Sequence, residues 1–205
     1  MKERQRDTME PKVNQPNKIP NMIMVNLGSG HFKINGWVNI DLDLHSRPDV
    51  CANLAAGLPL RNACVDFMHT EDFIDQLDLQ QAARFLGECH RILKPGGVIR
   101  VLTPDVEQLA RLYLHEPETL KALWRNHVGV PLRYGTAAEI LNVGMRFAGH
   151  TFLYDAETFA RLASGAGFRA ERVAFQTSAK AELRGHDLRS PETAISLYHD
   201  CYKIL

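Results

Sequence analysis

Met22-Ile23-Met24-Val25-Asn26-Leu27-Gly28-Ser29-Gly30 is the stretch on which the fold turns. An apolar run of this length fits a parallel strand covered on both faces. The two glycines stop it, and without a Cβ they let the backbone approach a ligand closely. Asp41 follows Gly30 by eleven residues and ends a second apolar run, Trp37-Val38-Asn39-Ile40. A carboxylate at the end of the second strand offers the acceptor pair that ribose hydroxyls need. A dinucleotide site calls for a third glycine, a full helix, and its acid about 20 residues on. Lys33 holds the third-glycine position here, and the short spacing leaves no room for a pyrophosphate-binding helix. A phosphate-free ligand fits better, which argues against a nicotinamide-dependent oxidoreductase.

Strand and helix signals alternate onward from that opening. Asp49-Val50-Cys51-Ala52 and Cys64-Val65-Asp66-Phe67-Met68 read as the third and fourth strands. Leu79, Ala82, Ala83, Leu86, His90 and Leu93 recur at helical spacing, and Pro95-Gly96-Gly97 stops that helix. Val98 to Leu102 is the fifth strand, and Thr103-Pro104-Asp105 opens a helix through Leu114. Asp155 caps a helix with Phe159, Leu162, Ala163 and Ala166 on its apolar stripe, and Gly167 ends it. Phe168 to Phe175 and Ala194 to Tyr202 read as the closing strands. The alternation predicts an α/β, doubly wound sheet. Residues 21–205 are expected to form one domain, with a helical insertion over about 116–150 placed to touch substrate. Residues 1–20, rich in Lys, Arg, Glu, Asn, Gln and Pro, are expected to form a flexible arm.

The 205 residues suit one α/β domain, and 45% apolar residues can fill a two-sided core. Twenty-four basic residues balance twenty-four acidic ones, so no general attraction to nucleic acid or anionic membrane is built in. Four scattered cysteines form no C-x-x-C pair, which predicts reduced thiols rather than a zinc or redox site. With no spanning segment and no secretory signal, a cytoplasmic protein is expected.

Several blocks resemble those of small bacterial class I methyltransferases that use S-adenosylmethionine (SAM), of the methyltransferase type 11 kind. They are Val25 to Gly30, Gly36-Trp37-Val38-Asn39-Ile40-Asp41, Leu58-Pro59-Leu60, Glu88 to Gly97, Thr103-Pro104-Asp105, His150 to Asp155 and Ser196-Leu197-Tyr198. The resemblance implies a Rossmann-like sheet of seven strands, the last antiparallel, with helices on both faces. It also implies SAM as cofactor and methyl transfer to a small-molecule acceptor, such as a sugar or polysaccharide precursor.

By the same resemblance, Gly28, Ser29 and Gly30 lie under the methionine part of SAM, and Asp41 accepts from its ribose. Leu42 flanks the adenine, and Asn53 and Leu54 stand near the adenine amino group. Asn26 replaces an acid that is common near the SAM amino group. His69 and Thr70 end the fourth strand beside the sulfonium. His69 is a candidate general base, since imidazole titrates near neutral pH; a SAM contact or a strand cap is the alternative. Asp72 is a weaker candidate base. His150 and Tyr154 either line the acceptor pocket or anchor a loop. Arg111, Arg125, Arg133 and Arg146 either bind an anionic acceptor or form a solvated helix face. Asp75-Gln76 replaces a Glu-His pair frequent in the family, and this departure motivates the alternative of a non-catalytic SAM-binding scaffold.

Overall fold

A computed structural model describes residues 22–204, so the predicted arm at 1–20 lies outside the described residues. Seven strands form one sheet in the order β3-β2-β1-β4-β5-β7-β6. They are β1 (Met24–Leu27), β2 (Val38–Asp41), β3 (Val50–Cys51), β4 (Val65–Glu71), β5 (Leu93–Pro104), β6 (Phe168–Arg172) and β7 (Ser196–Lys203). The first five pair in parallel, while β7 runs antiparallel to both β5 and β6. The seven-stranded sheet with an antiparallel final strand is therefore observed. Its order reverses between β1 and β4, and such a reversal opens a crevice at the C-terminal strand ends.

One face is covered by α1 (Leu79–Ile92) and α5 (Ala156–Gly165). Val25, Leu27, Met68, Ile99 and Val101 from the strands pack there on Phe85, Leu86 and Phe159. The α1 stripe is Ala82, Phe85, Leu86, Cys89 and Ile92, whereas Leu79 and Ala83 point outward. The predicted stripe was thus rotated around the helix, because the larger Phe85 side chain sets the buried face. Asp78 and Gln81 close a reciprocal capping box that fixes the start of α1. Its end comes at Ile92, before Pro95, because Leu93 already pairs with Val65.

The other face has a thinner cover, made by residues 28–37 and 173–190 with a single 3-10 turn, Ala181–Leu183. Trp37, Val98 and Leu183 form a small apolar cluster there. Beside it lies a polar centre: Arg100 and Asp200 are both fully buried. The predicted strand to Phe175 stops at Arg172, since the chain must leave the sheet to wrap this centre.

The helix expected after Asp105 is α2 (Val106–His115), and residues 116–150 beyond it hold α3 (Pro117–Leu123), a wide π turn at Trp124–Val128, and α4 (Ala137–Gly144). Leu109, Leu112, Leu120, Trp124 and Ile140 give this segment its own apolar cluster. No helix among the described residues is long and apolar enough to cross a membrane.

Candidate cofactor and acceptor site

The crevice holds a cavity of about 1210 Å³, bordered by the β1 turn, the ends of β2 and β4, the helical insertion and residues 185–195. Asn26, Gly28, Ser29, Gly30, Asp41, Leu42, Asn53, Leu54, His69 and His150 all border it. Residues up to 124 apart in sequence thus meet where the sheet order reverses.

The glycine turn is built for close approach. Gly28 and Gly30 both have positive φ, +67° and +46°, a region that L side chains rarely adopt. The N–H groups of Gly28 and Ser29 both donate to Ile40 O, fastening the turn to β2. A Cβ on Gly28 would lie 2.9 Å from Phe73, but one on Gly30 would meet nothing within 4 Å. Gly30 therefore leaves a bare stretch of backbone facing open space.

Asp41 is held from two sides. Its Oδ2 accepts Gly30 N–H at 2.8 Å, and its Oδ1 accepts Asp43 N–H at 2.7 Å. A carboxylate accepts about four hydrogen bonds, so each oxygen retains capacity for a ribose hydroxyl. Leu42, 62% exposed, offers an apolar surface beside it. Asn53 Oδ1 accepts Ala55 N–H at 3.0 Å, shaping the neighbouring loop. Asn26 donates to Phe32 O at 3.0 Å and Asn39 Oδ1 at 3.1 Å. Its amide hydrogens hold the loop after Gly30, and Oδ1 is the atom left to accept from a ligand amino group.

Two predicted contacts fall outside the cavity. Thr70 follows His69 on β4, so the two-residue period sends it to the α1 and α5 side, where it is fully buried. Tyr154 is also fully buried, packed between Phe152 and Phe159 in the main core. Burial raises its phenol pKa, so it remains neutral.

His69 borders the cavity but is only 3% exposed, with Nε2 lying 3.7 Å from Asp187 and 4.0 Å from Glu71. Burial lowers its pKa against the pull of Asp187, which keeps the ring neutral. His150 is an anchor as well as a wall: Nδ1 is 3.0 Å from Gly144 O and Nε2 is 3.3 Å from Asp75. Burial pushes Asp75 up to about 6, and Asp72 adds to this while His150 opposes it. Asp75 O also accepts the N–H groups of Thr151 and Phe152. The departure at Asp75-Gln76 thus has a structural explanation, since Asp75 ties the His150 loop to the end of β4.

The sequence reading missed Glu71, Gln76, His186 and Arg189, which also border the cavity, and underweighted Asp72. Glu71 accepts the N–H groups of Leu188 and Arg189, at 3.1 and 2.9 Å. Burial pushes its carboxyl up to about 7, with the Asp72 charge adding to the effect. Asp72 adopts φ +52° and pairs with Arg189 at 2.6 Å. The signal available for Glu71 was its position two residues past His69, which puts both on one sheet face. Arg111, Arg125, Arg133 and Arg146 do not border the cavity, and Arg111 instead pairs with Glu116 at 2.7 Å. Arg189 is the arginine that does.

Residues 36–101 match the model of a family described as a methyltransferase domain. A probable S-adenosylmethionine-dependent methyltransferase of Mycolicibacterium smegmatis is 41% identical over 61 residues, 30% of this chain and 23% of that protein. The chain thus spans under a quarter of that relative's length. Among solved structures, a SAM-dependent methyltransferase from Archaeoglobus fulgidus superposes with a TM-score of 0.54 at 11% identity, covering 89% of this chain and 86% of its own. One from Mesorhizobium loti gives 0.53 at 16%, covering 89% and 91%. One from Methanosarcina mazei gives 0.53 at 14%, covering 89% and 92%. At these identities the likeness shows the fold. Residues 36–101 thus match the methyltransferase domain family, and the chain that carries them shares its fold with these SAM-dependent methyltransferase structures.

Proposed function

We propose that this protein binds SAM in the crevice and transfers its methyl group to a small-molecule acceptor. The observation that carries this reading is the Asp41 carboxylate, clamped by Gly30 N–H beside bare glycine backbone in a cavity large enough for two ligands. SAM brings a methyl group already activated on a sulfonium sulfur. The chain's task is then to position the reactants and to exclude water. Orientation of this kind can supply roughly 7–11 kcal/mol of the barrier. Gly28, Ser29 and Gly30 would support the methionine part, Asp41 the ribose, and Leu42, Asn53 and Leu54 the adenine. His69, neutral and buried beside Glu71, would border the transfer point, whether or not it acts as a base.

In this reading residues 116–150 roof the acceptor end, and His150 helps to hold that roof in place. Residues 21–205 act as one unit around the cavity. The four cysteines are free thiols, which suits a cytoplasmic setting. The sequence suggested a sugar or polysaccharide precursor as acceptor. The apolar walls of the insertion favour a less polar molecule.

Calorimetry with SAM and its demethylated product, S-adenosylhomocysteine, is the direct test. Micromolar binding of either supports the reading, and no heat at millimolar ligand removes it. Tight binding without turnover over a broad acceptor panel would favour the scaffold alternative.

A further inference from the structure

The cavity has two unlike ends. Around the glycine turn it is polar. Under the insertion its walls are mainly apolar, with Leu120, Leu123, Trp124, Val128, Ile140 and Phe147 beside His127. The Trp124 indole N–H is already taken by Val130 O at 2.8 Å, and the Trp124 and Phe147 rings meet edge to face at 6.1 Å. A sugar placed here would leave hydroxyls unpaired, at a cost of about 1–3 kcal/mol each.

Four acids in and around the cavity differ in what they face. Asp72 pairs with Arg189, and its other oxygen is covered. Asp105 caps α2 with one oxygen, and the other lies 3.6 Å from Arg172. Asp75 faces His150. Glu71 has no Lys or Arg side-chain partner among the described residues and borders the cavity one step beyond the Leu27–Thr70 pair, which places it beside Gly28. An ammonium-bearing acceptor would therefore find Asp72 and Asp105 already engaged by arginines. A neutral hydroxyl would find Glu71.

We propose that the acceptor is a neutral, apolar-bodied molecule bearing a phenol-type hydroxyl, which rests on the Trp124–Phe147 wall and gives its proton to Glu71. This rests on the SAM reading above. In the step, the hydroxyl oxygen forms a bond to the methyl carbon as the carbon–sulfur bond breaks. That bond's electron pair stays on sulfur, which becomes a neutral thioether, and the Glu71 carboxylate takes the O–H proton. The groups facing Glu71 are His69 on β4, Asp72 just past its end, Asp187 and Arg189 from the wrapping segment, and Tyr198 on β7. A carboxyl titrating at about 7 in this setting is suited to proton removal near neutral pH.

The test uses the two tryptophans. Trp37→Phe protein loaded with S-adenosylhomocysteine is titrated with 4-nitrophenol, benzylamine or glucose while Trp124 emission is followed. Saturable quenching by 4-nitrophenol is expected, with neither of the other probes binding, and Phe147→Ala should weaken the nitrophenol about three- to tenfold. Calorimetry on the unmodified chain repeats the comparison without relying on a variant. The colour of bound 4-nitrophenol reports its ionisation. Its apparent pKa should rise above the free value, and Glu71→Gln should abolish that rise. Failure of S-adenosylhomocysteine to bind overturns the SAM reading itself. Loading without nitrophenol binding, a preference for benzylamine or glucose, or an ionisation unaffected by Glu71→Gln overturns this inference alone.

Discussion

Arg100 and Asp200 stand directly opposite one another across β5 and β7, joined at 3.1 Å with no exposed surface on either. The same guanidinium meets Asp187 and the carbonyls of Ala174 and Thr177, so one side chain pins residues 174–187 over the sheet. Removing it strands two buried carboxylates. Arg100→Met should cost about 3–5 kcal/mol, read as a lowered urea midpoint. Arg100→Lys should recover only part of this, because an ammonium cannot reproduce the planar fork. A midpoint unchanged in Arg100→Met would show that the network carries little stability.

Asp41 holds the Gly30 turn and keeps acceptor capacity toward the cavity. Asp41→Ala should weaken S-adenosylhomocysteine by about 1–3 kcal/mol through unpaired ribose hydroxyls and a loosened turn. An unaltered dissociation constant in calorimetry would take Asp41 out of the site.

Gly28 and Gly30 should respond differently to a methyl group. Gly28→Ala drives a Cβ into Phe73 at a positive φ, so a stability loss of about 2 kcal/mol or more is expected. Gly30→Ala meets no atom within 4 Å and should cost only about 1–2 kcal/mol of stability. Its methyl group faces the cavity, so cofactor affinity should fall more steeply than stability. Melting and binding curves on both variants separate the two effects, and equal stability losses would contradict the geometry.

Glu71 makes stability depend on pH in a defined direction. Its carboxyl titrates at about 7 when folded, against an ordinary 4.5. Between these values the folded state holds a proton that the unfolded chain has released, so stability falls as pH rises. This contribution is fully present below 4.5 and gone above about 7. Glu71→Gln should therefore gain relative to the native chain by a few kcal/mol between pH 5 and pH 8. Paired unfolding curves at the two pH values check the sign, and His199, lowered to about 4 by burial, cancels in the comparison.

The sheet was legible because its strands are apolar runs closed by polar punctuation, as at Leu27-Gly28 and Ile40-Asp41. The glycine turn and Asp41 were legible because their chemistry is local. Tyr154 and Thr70 were misplaced for a physical reason: a residue next to the site in sequence can point away once the strand period is set. Glu71, Asp187 and Arg189 were harder to find. They meet across more than a hundred residues through a segment with no periodicity, and Asp187 looks like a surface residue until the chain wraps over Arg100. The α1 stripe shows a smaller version of the same problem, since spacing allowed two overlapping faces and Phe85 decided between them.

Leu188 and Arg189, whose N–H groups grip Glu71, lie close in sequence to β7, the strand wedged between β5 and β6. The rim of the binding crevice and the far half of the sheet are therefore mechanically continuous. A ligand tightening that rim should slow amide hydrogen exchange along β7, although it touches none of those amides.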